Sequence, residues 1–152
     1  MKIETMKDVL HWTEKFHQQL SLSLKNSKNN HASERARLVL DYLAQHEKAL
    51  SKVISGFENS GNTQVMNTWC IEYLDTRPIN SNSNAIAALT TLNPDEIVAA
   101  VVEQHQQVIE LYRYLVTRVD TPEAKELMQE LLAFEEHEIM RIVHTANRFS
   151  DM

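Results

Sequence analysis

The sequence contains few residues that turn or cross-link a polypeptide chain. Of its 152 residues, 2 are glycine, 3 are proline and 1 is cysteine. So little glycine and proline argues against a β-sandwich or a β-barrel, whose many turns need these residues. The absence of clustered glycines excludes a phosphate-binding loop. The single cysteine, Cys70, excludes an internal disulfide and a thiolate zinc cluster.

Long apolar runs and an excess of positive charge are also missing. No stretch approaches the ~20 apolar residues that span a membrane, and the N-terminal segment is too charged for a signal peptide. The net charge is −6 and no run is basic, so we expect no nucleic-acid partner. These absences predict a soluble, cytoplasmic and mostly helical protein.

Helical periodicity is the strongest pattern that is present. Apolar residues recur with a period near 3.6 in four segments, which predicts four amphipathic helices. Helix 1 is expected from about residue 5 to 28, and helix 2 from an N-cap at Ser33 to about residue 57. Helix 3 should begin after Asn93, because Pro94 and Glu96 follow it at the first and third helical positions. Helix 4 should begin in the segment 120–123.

A long connector separates the two predicted helical hairpins. The hairpins cover residues 5–58 and 94–150, and the crossover covers 59–93. Residues 64–74 read as a short helix that bears Trp69 and a buried structural cysteine, and 80–84 as a polar loop. Two hairpins joined by one long crossover predict a single all-α domain over 1–152, with the connectivity of a ferritin-like four-helix bundle.

The two hairpins resemble each other in sequence. Residues 38–47 align with 127–136 at an offset of 89, and His17-Gln-Gln aligns with His105-Gln-Gln at an offset of 88. Because the two offsets differ by one residue, the hairpins can superpose without a large gap. We therefore expect an internal repeat with a pseudo-twofold axis.

Each predicted helix carries one ionisable residue on its apolar face. Each residue advances about 100° around a helix. On this projection the inward residues are His17, His46, His105 and Glu135. Residues equally distant from a hairpin turn face each other, which would bring these four to one level in the bundle. The other four histidines, at positions 11, 31, 137 and 144, lie elsewhere on their helices or in a turn.

Three glutamates flank the predicted inward positions. Glu138 lies three residues after Glu135, and Glu47 and its repeat mate Glu136 lie on the other side. They could be further metal ligands or could accept hydrogen bonds that orient the imidazoles. Tyr42 and Tyr112, one turn away, could hydrogen-bond the site.

Burial of four ionisable groups at one level requires that they satisfy one another. A divalent metal would do so, because it binds neutral imidazole and carboxylate directly. Two alternatives remain open: a metal-free network of hydrogen bonds with trapped water, and a small-ligand pocket lined by the same histidines.

Both hairpins resemble the ferritin-like superfamily, in particular its rubrerythrin-related members. The stretch Leu-Asp-Tyr-Leu-Ala-Gln-His-Glu, ending at Glu47, is similar to a bacterial branch with altered metal ligands. In the superfamily, helices 1 and 3 each provide a glutamate, and helices 2 and 4 each provide Glu-x-x-His. Here helices 1 and 3 offer His17 and His105 instead, helix 2 offers His46 followed by Ala49, and helix 4 offers Glu135 followed by Glu138.

The resemblance implies the fold more than the activity. The inward histidines and glutamate predict a transition metal, with iron or manganese first and zinc second, and redox or oxygen chemistry if the protein is an enzyme. The resemblance also implies a homodimer. The predicted ligand set is His17, His46, His105, Glu135, Glu138 and Glu47. The competing function is a metal-free bundle that serves as a structural or protein-interaction module.

Overall fold

The computed structural model describes residues 5–60, 88–119 and 121–150. In these ranges the chain forms four α-helices and a short 3₁₀ turn at Ala88–Thr91. The helices are α1 (Met6–Asn30), α2 (Glu34–Ser60), α3 (Pro94–Arg118) and α4 (Pro122–Ser150). The prediction of an all-α four-helix bundle is confirmed. The short helix predicted at 64–74, with Trp69 and Cys70, and the loop at 80–84 lie outside the described residues.

Side-chain caps begin the four helices near the predicted places. The Asn93 carboxamide accepts a hydrogen bond from the Glu96 amide, and the Glu96 carboxylate accepts one from the Asn93 amide. Thr5 begins α1 with the same reciprocal pair. The hydroxyls of Ser33 and Thr121 accept hydrogen bonds from amides in the first turns of α2 and α4. Each cap satisfies an amide that has no partner within its helix.

The four helices pack as two antiparallel hairpins, α1 with α2 and α3 with α4. His31 lies in the turn between α1 and α2, and its Nε2 is 2.8 Å from the carbonyl oxygen of Leu92. The start of α3 is therefore beside the α1–α2 turn.

Apolar side chains from all four helices form one core. Most of the predicted stripe residues are buried, and Tyr112, Leu43 and Leu131 are each fully buried. The 3.6-residue period also predicts that Val53 of α2 and Val143 of α4 face inward, but they are 41% and 40% exposed. Among the described helices, none combines the length and the apolar composition that a membrane crossing requires.

Candidate metal centre

Two histidines and two glutamates form a closed ring at the centre of the bundle. His17 Nδ1 is 2.6 Å from a Glu47 oxygen, and His17 Nε2 is 2.8 Å from a Glu135 oxygen. His105 Nδ1 is 3.1 Å from the other Glu135 oxygen, and His105 Nε2 contacts the other Glu47 oxygen. All four residues are completely buried. Four ring nitrogens therefore face four carboxylate oxygens, and every polar side-chain atom of the ring has a partner.

Each helix contributes one member of the ring: His17 from α1, Glu47 from α2, His105 from α3 and Glu135 from α4. In each hairpin the histidine and the glutamate are 30 residues apart. The two histidines are 88 residues apart, as are the two glutamates. Residues at equal distances from a hairpin turn reach the same height in a bundle, so both pairs meet at one level.

Burial and charge act in opposite directions on the ring histidines. Burial alone lowers the pKa of His17, but the negative charges of Glu135 and Glu47 outweigh it and raise that pKa to about 9. Burial likewise lowers the pKa of His105, and the charge and hydrogen bonds of the two carboxylates raise it to about 10. Without a metal, both imidazoles are protonated near neutral pH and donate from both ring nitrogens.

The ring glutamates show the opposite balance. Burial raises the pKa of Glu47, but His105 and His17 outweigh it, and that pKa falls to about 2. The same balance lowers the pKa of Glu135 to about 2. The metal-free ring therefore holds two positive imidazoliums and two negative carboxylates, with a net charge of zero.

His46 and Glu138 form a separate pair next to the ring. His46 Nε2 is 3.0 Å from a Glu138 oxygen, and the two side chains are 10% and 5% exposed. Arg141, which is largely exposed, lies 3.3 Å from the other Glu138 oxygen. The ring of Tyr42 stacks on that of His46, with centroids 5.9 Å apart. Burial, which outweighs the neighbouring carboxylates, lowers the pKa of His46.

The structure thus exchanges the roles that the sequence predicted for two neighbouring residues. We placed His46 at the centre of the α2 stripe and Glu47 on its flank, whereas Glu47 is in the ring and His46 is beside it. The prediction was wrong because it counted Val53, which is exposed, and omitted Leu40 and Ala44, which are buried. As a result, the predicted inward face of α2 was rotated by most of the 100° that separates successive residues around a helix.

The predicted repeat register also shifts on α2 and α4. We aligned Glu47 with Glu136 at an offset of 89, but Glu135 is the residue that takes the equivalent role in the ring. Glu136 is instead exposed and lies 3.6 Å from Arg113. With an offset of 88, which His17 and His105 already suggested, the sequence would have identified Glu47.

The two predicted tyrosines lie close to the site in different ways. Tyr112 is fully buried, and its hydroxyl has no well-formed hydrogen bond within the described ranges. Burial and the charge of Glu135 raise the pKa of Tyr112 well above its usual range, and Thr13 acts in the opposite direction. Tyr42, by contrast, borders His46 at the edge of the site.

The donor atoms of the ring suit a divalent metal ion. One ligand atom from each of His17, His105 and Glu135 can be chosen so that all three lie within 4.8 Å of one another. Glu47 contacts both imidazoles. With neutral imidazoles the ring carries a charge of −2, which a divalent ion balances. A second group of metal-binding side-chain types consists of the exposed His11 and the half-buried Glu14 and Glu58, and exposed acidic groups are common without an ion.

No family model and no curated protein sequence matches this chain. A solved structure from Thermotoga maritima, described as a proposed ferritin-like diiron-carboxylate protein, is similar to it with a TM-score of 0.63. The two sequences are 12% identical, and the similarity covers 97% of each chain.

A dinuclear carboxylate centre of the ferritin-like kind does not fit the ring. Such centres take four glutamates and two histidines from the four helices, whereas the ring has two of each. Three residues after Glu47 the chain carries Leu50, and three residues after Glu135 it carries Glu138. The comparison supports the architecture, and the described structure agrees with it: the chain has the fold of a ferritin-like four-helix bundle.

Proposed function

We propose that the ring of His17, Glu47, His105 and Glu135 binds one divalent transition-metal ion in the core of the bundle. The observation that carries this proposal is the convergence of two imidazoles and two carboxylates, one from each helix and all completely buried. Imidazole and carboxylate are ligands of iron, manganese and zinc.

The cost of burial supports a function for these side chains. Taking charged groups out of water costs several kcal/mol per ion, and well-packed apolar residues are often as stabilising or more so. A core that served only to hold the helices together would need none of these four residues. The ferritin-like architecture also supports the proposal, because cofactor and metal sites of helix bundles are built in the core from side chains on facing helices.

Iron or manganese is the first candidate, and such an ion would supply redox or oxygen chemistry when bound. Zinc is the second candidate and would give the site a structural or storage role. The side chains of the ring would hold the ion, and the surrounding core, including Phe16 and Tyr112, would exclude water from it.

Elemental analysis tests this proposal directly. Untagged protein is purified, loaded in turn with iron, manganese and zinc, and compared with a His17→Ala/His105→Ala variant. The control is His137→Ala/His144→Ala, which removes two exposed histidines. About one equivalent in the wild type and the control, lost in the ring variant, would support the proposal. Failure of all three ions to bind the wild type would contradict it.

A metal-free structural role is the second candidate, and one observation favours it. The ring is closed, so both protonated imidazoles and both carboxylates are satisfied without an ion. If the elemental analysis finds no bound metal, the structural role is the candidate function that remains. The third alternative, a small-ligand pocket, requires an elongated cavity, whereas the four side chains contact one another directly. The homodimer stays a prediction that light scattering can check.

A further inference from the structure

The pair of His46 and Glu138 contains a buried nitrogen that packing does not explain. The Nε2 atom of His46 is buried and makes no hydrogen bond with any described residue, although a Glu138 oxygen lies only 3.0 Å away. The two atoms are close enough for a hydrogen bond but are not oriented for one. A buried polar atom without a partner costs about 1–3 kcal/mol, so its retention needs a reason.

The separation of the two atoms matches that of two ligands of one metal ion. Ligand atoms that are each about 2.1 Å from an ion lie about 3.0 Å apart when they subtend a right angle. Imidazole nitrogen and carboxylate oxygen are also the ligand types found in the ring. The ring atoms already face one another in four contacts, none of which involves His46 or Glu138, so an ion between these two side chains would lie outside the ring.

The equivalent positions in the other half of the chain carry apolar residues. The ring members of the two hairpins are 88 residues apart. At this offset, the position equivalent to His46 is Phe134, and the position equivalent to Glu138 is Leu50. The chain therefore has an apolar pair in one half and an imidazole with a carboxylate in the other. Only the second pair can bind a cation.

The pair also lies closer to solvent than the ring does. Its side chains retain a small exposure, whereas the ring residues have none. The other oxygen of Glu138 faces Arg141, whose side chain is 61% exposed. Arg141 can move into solvent, which would free that oxygen for an arriving ion.

We propose that His46 and Glu138 form a second binding position for a divalent transition-metal ion, separate from the ring, with water as the remaining ligands. This position does not require that the ring itself hold a metal. It goes beyond the proposed function, because it makes the bundle a two-position protein with unequal sites, one closed and one reachable from solvent.

Cobalt(II) titration of the metal-free full-length protein tests the proposal by calorimetry and visible absorption. The test variant is His46→Phe/Glu138→Leu, which copies the apolar pair found in the other half of the bundle. The matched variant, His17→Leu/His105→Leu, removes the ring. We expect two equivalents in the wild type and one in each variant, with Glu138→Gln also losing the second equivalent.

Each outcome decides between the two sites. Equal binding by the wild type and His46→Phe/Glu138→Leu overturns the second position, whatever the ring does. If the wild type binds one equivalent of cobalt, and only His46→Phe/Glu138→Leu abolishes that binding, the result supports the second position and overturns the metal function of the ring. If the ring variant does not fold, copper(II) paramagnetic resonance of the wild type replaces it: coupling to one imidazole nitrogen supports the pair. Coupling to two imidazoles in every bound copper overturns it.

Discussion

Glu47 and Glu135, which are 88 residues apart in the chain, bridge the same two imidazoles from opposite sides. Each carboxylate uses one oxygen for His17 and the other for His105. Neither histidine and neither glutamate is redundant, because the loss of any one leaves two buried partners without their contacts. We therefore expect the ring to behave as one unit in stability, in ionisation and in the binding of the proposed ion.

Removal of one ring member should destabilise the metal-free protein strongly. We expect Glu135→Leu to lower the free energy of unfolding by about 3–5 kcal/mol, because it leaves two buried imidazoles with uncompensated charge or unpaired nitrogens. Urea unfolding followed by circular dichroism measures this change.

The matched variant replaces all four ring residues with leucine. We expect it to recover most of the stability lost by Glu135→Leu, since an apolar core needs no charge compensation. If the quadruple variant is as unstable as the single one, overpacking rather than uncompensated charge determines the loss, and the ring would not be the isolated unit described above.

The stability of the metal-free protein should depend on pH in two directions. The raised pKa values of His17 and His105 contribute stability that is fully present below pH 6.5 and is lost as the pH rises through about 9 and 10. The lowered pKa values of Glu47 and Glu135 contribute stability that is present above pH 4.5 and is lost as the pH falls through about 2. Unfolding measured from pH 2 to 10 should show maximum stability between about pH 4.5 and 6.5.

A bound metal should reverse the alkaline part of this profile. A divalent ion requires neutral imidazoles, so its binding displaces the two ring protons and strengthens as the pH rises. The increase in melting temperature on metal addition should therefore grow from pH 6 to pH 8. A metal-induced increase that is constant over this range would contradict binding at the ring.

Tyr112→Phe should leave stability unchanged or raise it slightly. The hydroxyl is buried without a well-formed hydrogen bond in the described part of the chain, so its removal relieves a desolvation cost and leaves no partner unsatisfied. Chemical denaturation of the two proteins checks this. A loss of more than about 1 kcal/mol would show that the hydroxyl does donate a hydrogen bond, with Thr13 as the acceptor.

His31 should be the histidine outside the site whose loss matters most. Its Nδ1 accepts a hydrogen bond from the Ser33 amide at 3.0 Å, and its Nε2 donates to the Leu92 carbonyl. We expect His31→Ala to cost about 1–3 kcal/mol, because it removes both bonds and the tie between the α1–α2 turn and the start of α3. His144→Ala, at an exposed position, is the control and should change little.

The helices and their order followed from local patterns. Asn93, Pro94 and Glu96 predicted the start of α3 correctly, because a capping box is complete within four residues and needs no tertiary contact. Helix ends were less accurate: α2 extends to Ser60, past the expected end near residue 57. Polar residues at a helix end can take either state, and neighbouring contacts decide between them.

The members of the ring were only partly predictable. His17, His105 and Glu135 lie near the centres of wide apolar stripes, so a small error in rotation does not move them off the core face. His46 and Glu47 lie on either side of the boundary between the buried and the more exposed face of α2. The same error in rotation therefore exchanges their predicted positions. The apolar stripe of α2 could show that one of the two faces the core, but not which one. Only the 88-residue spacing of His17 and His105, applied to Glu135, points to Glu47.

By itself, then, the amino-acid sequence determined that this chain forms two helical hairpins, and that each hairpin buries ionisable side chains at matching distances from its turn. Periodicity and caps are local, so they are visible without the fold. The closure of the ring through Glu47 and the pairing of His46 with Glu138 became visible only in the folded structure. This arrangement depends on how far each helix rotates when two hairpins pack together, and the rotation is determined by the combined fit of all four apolar faces rather than by any one of them.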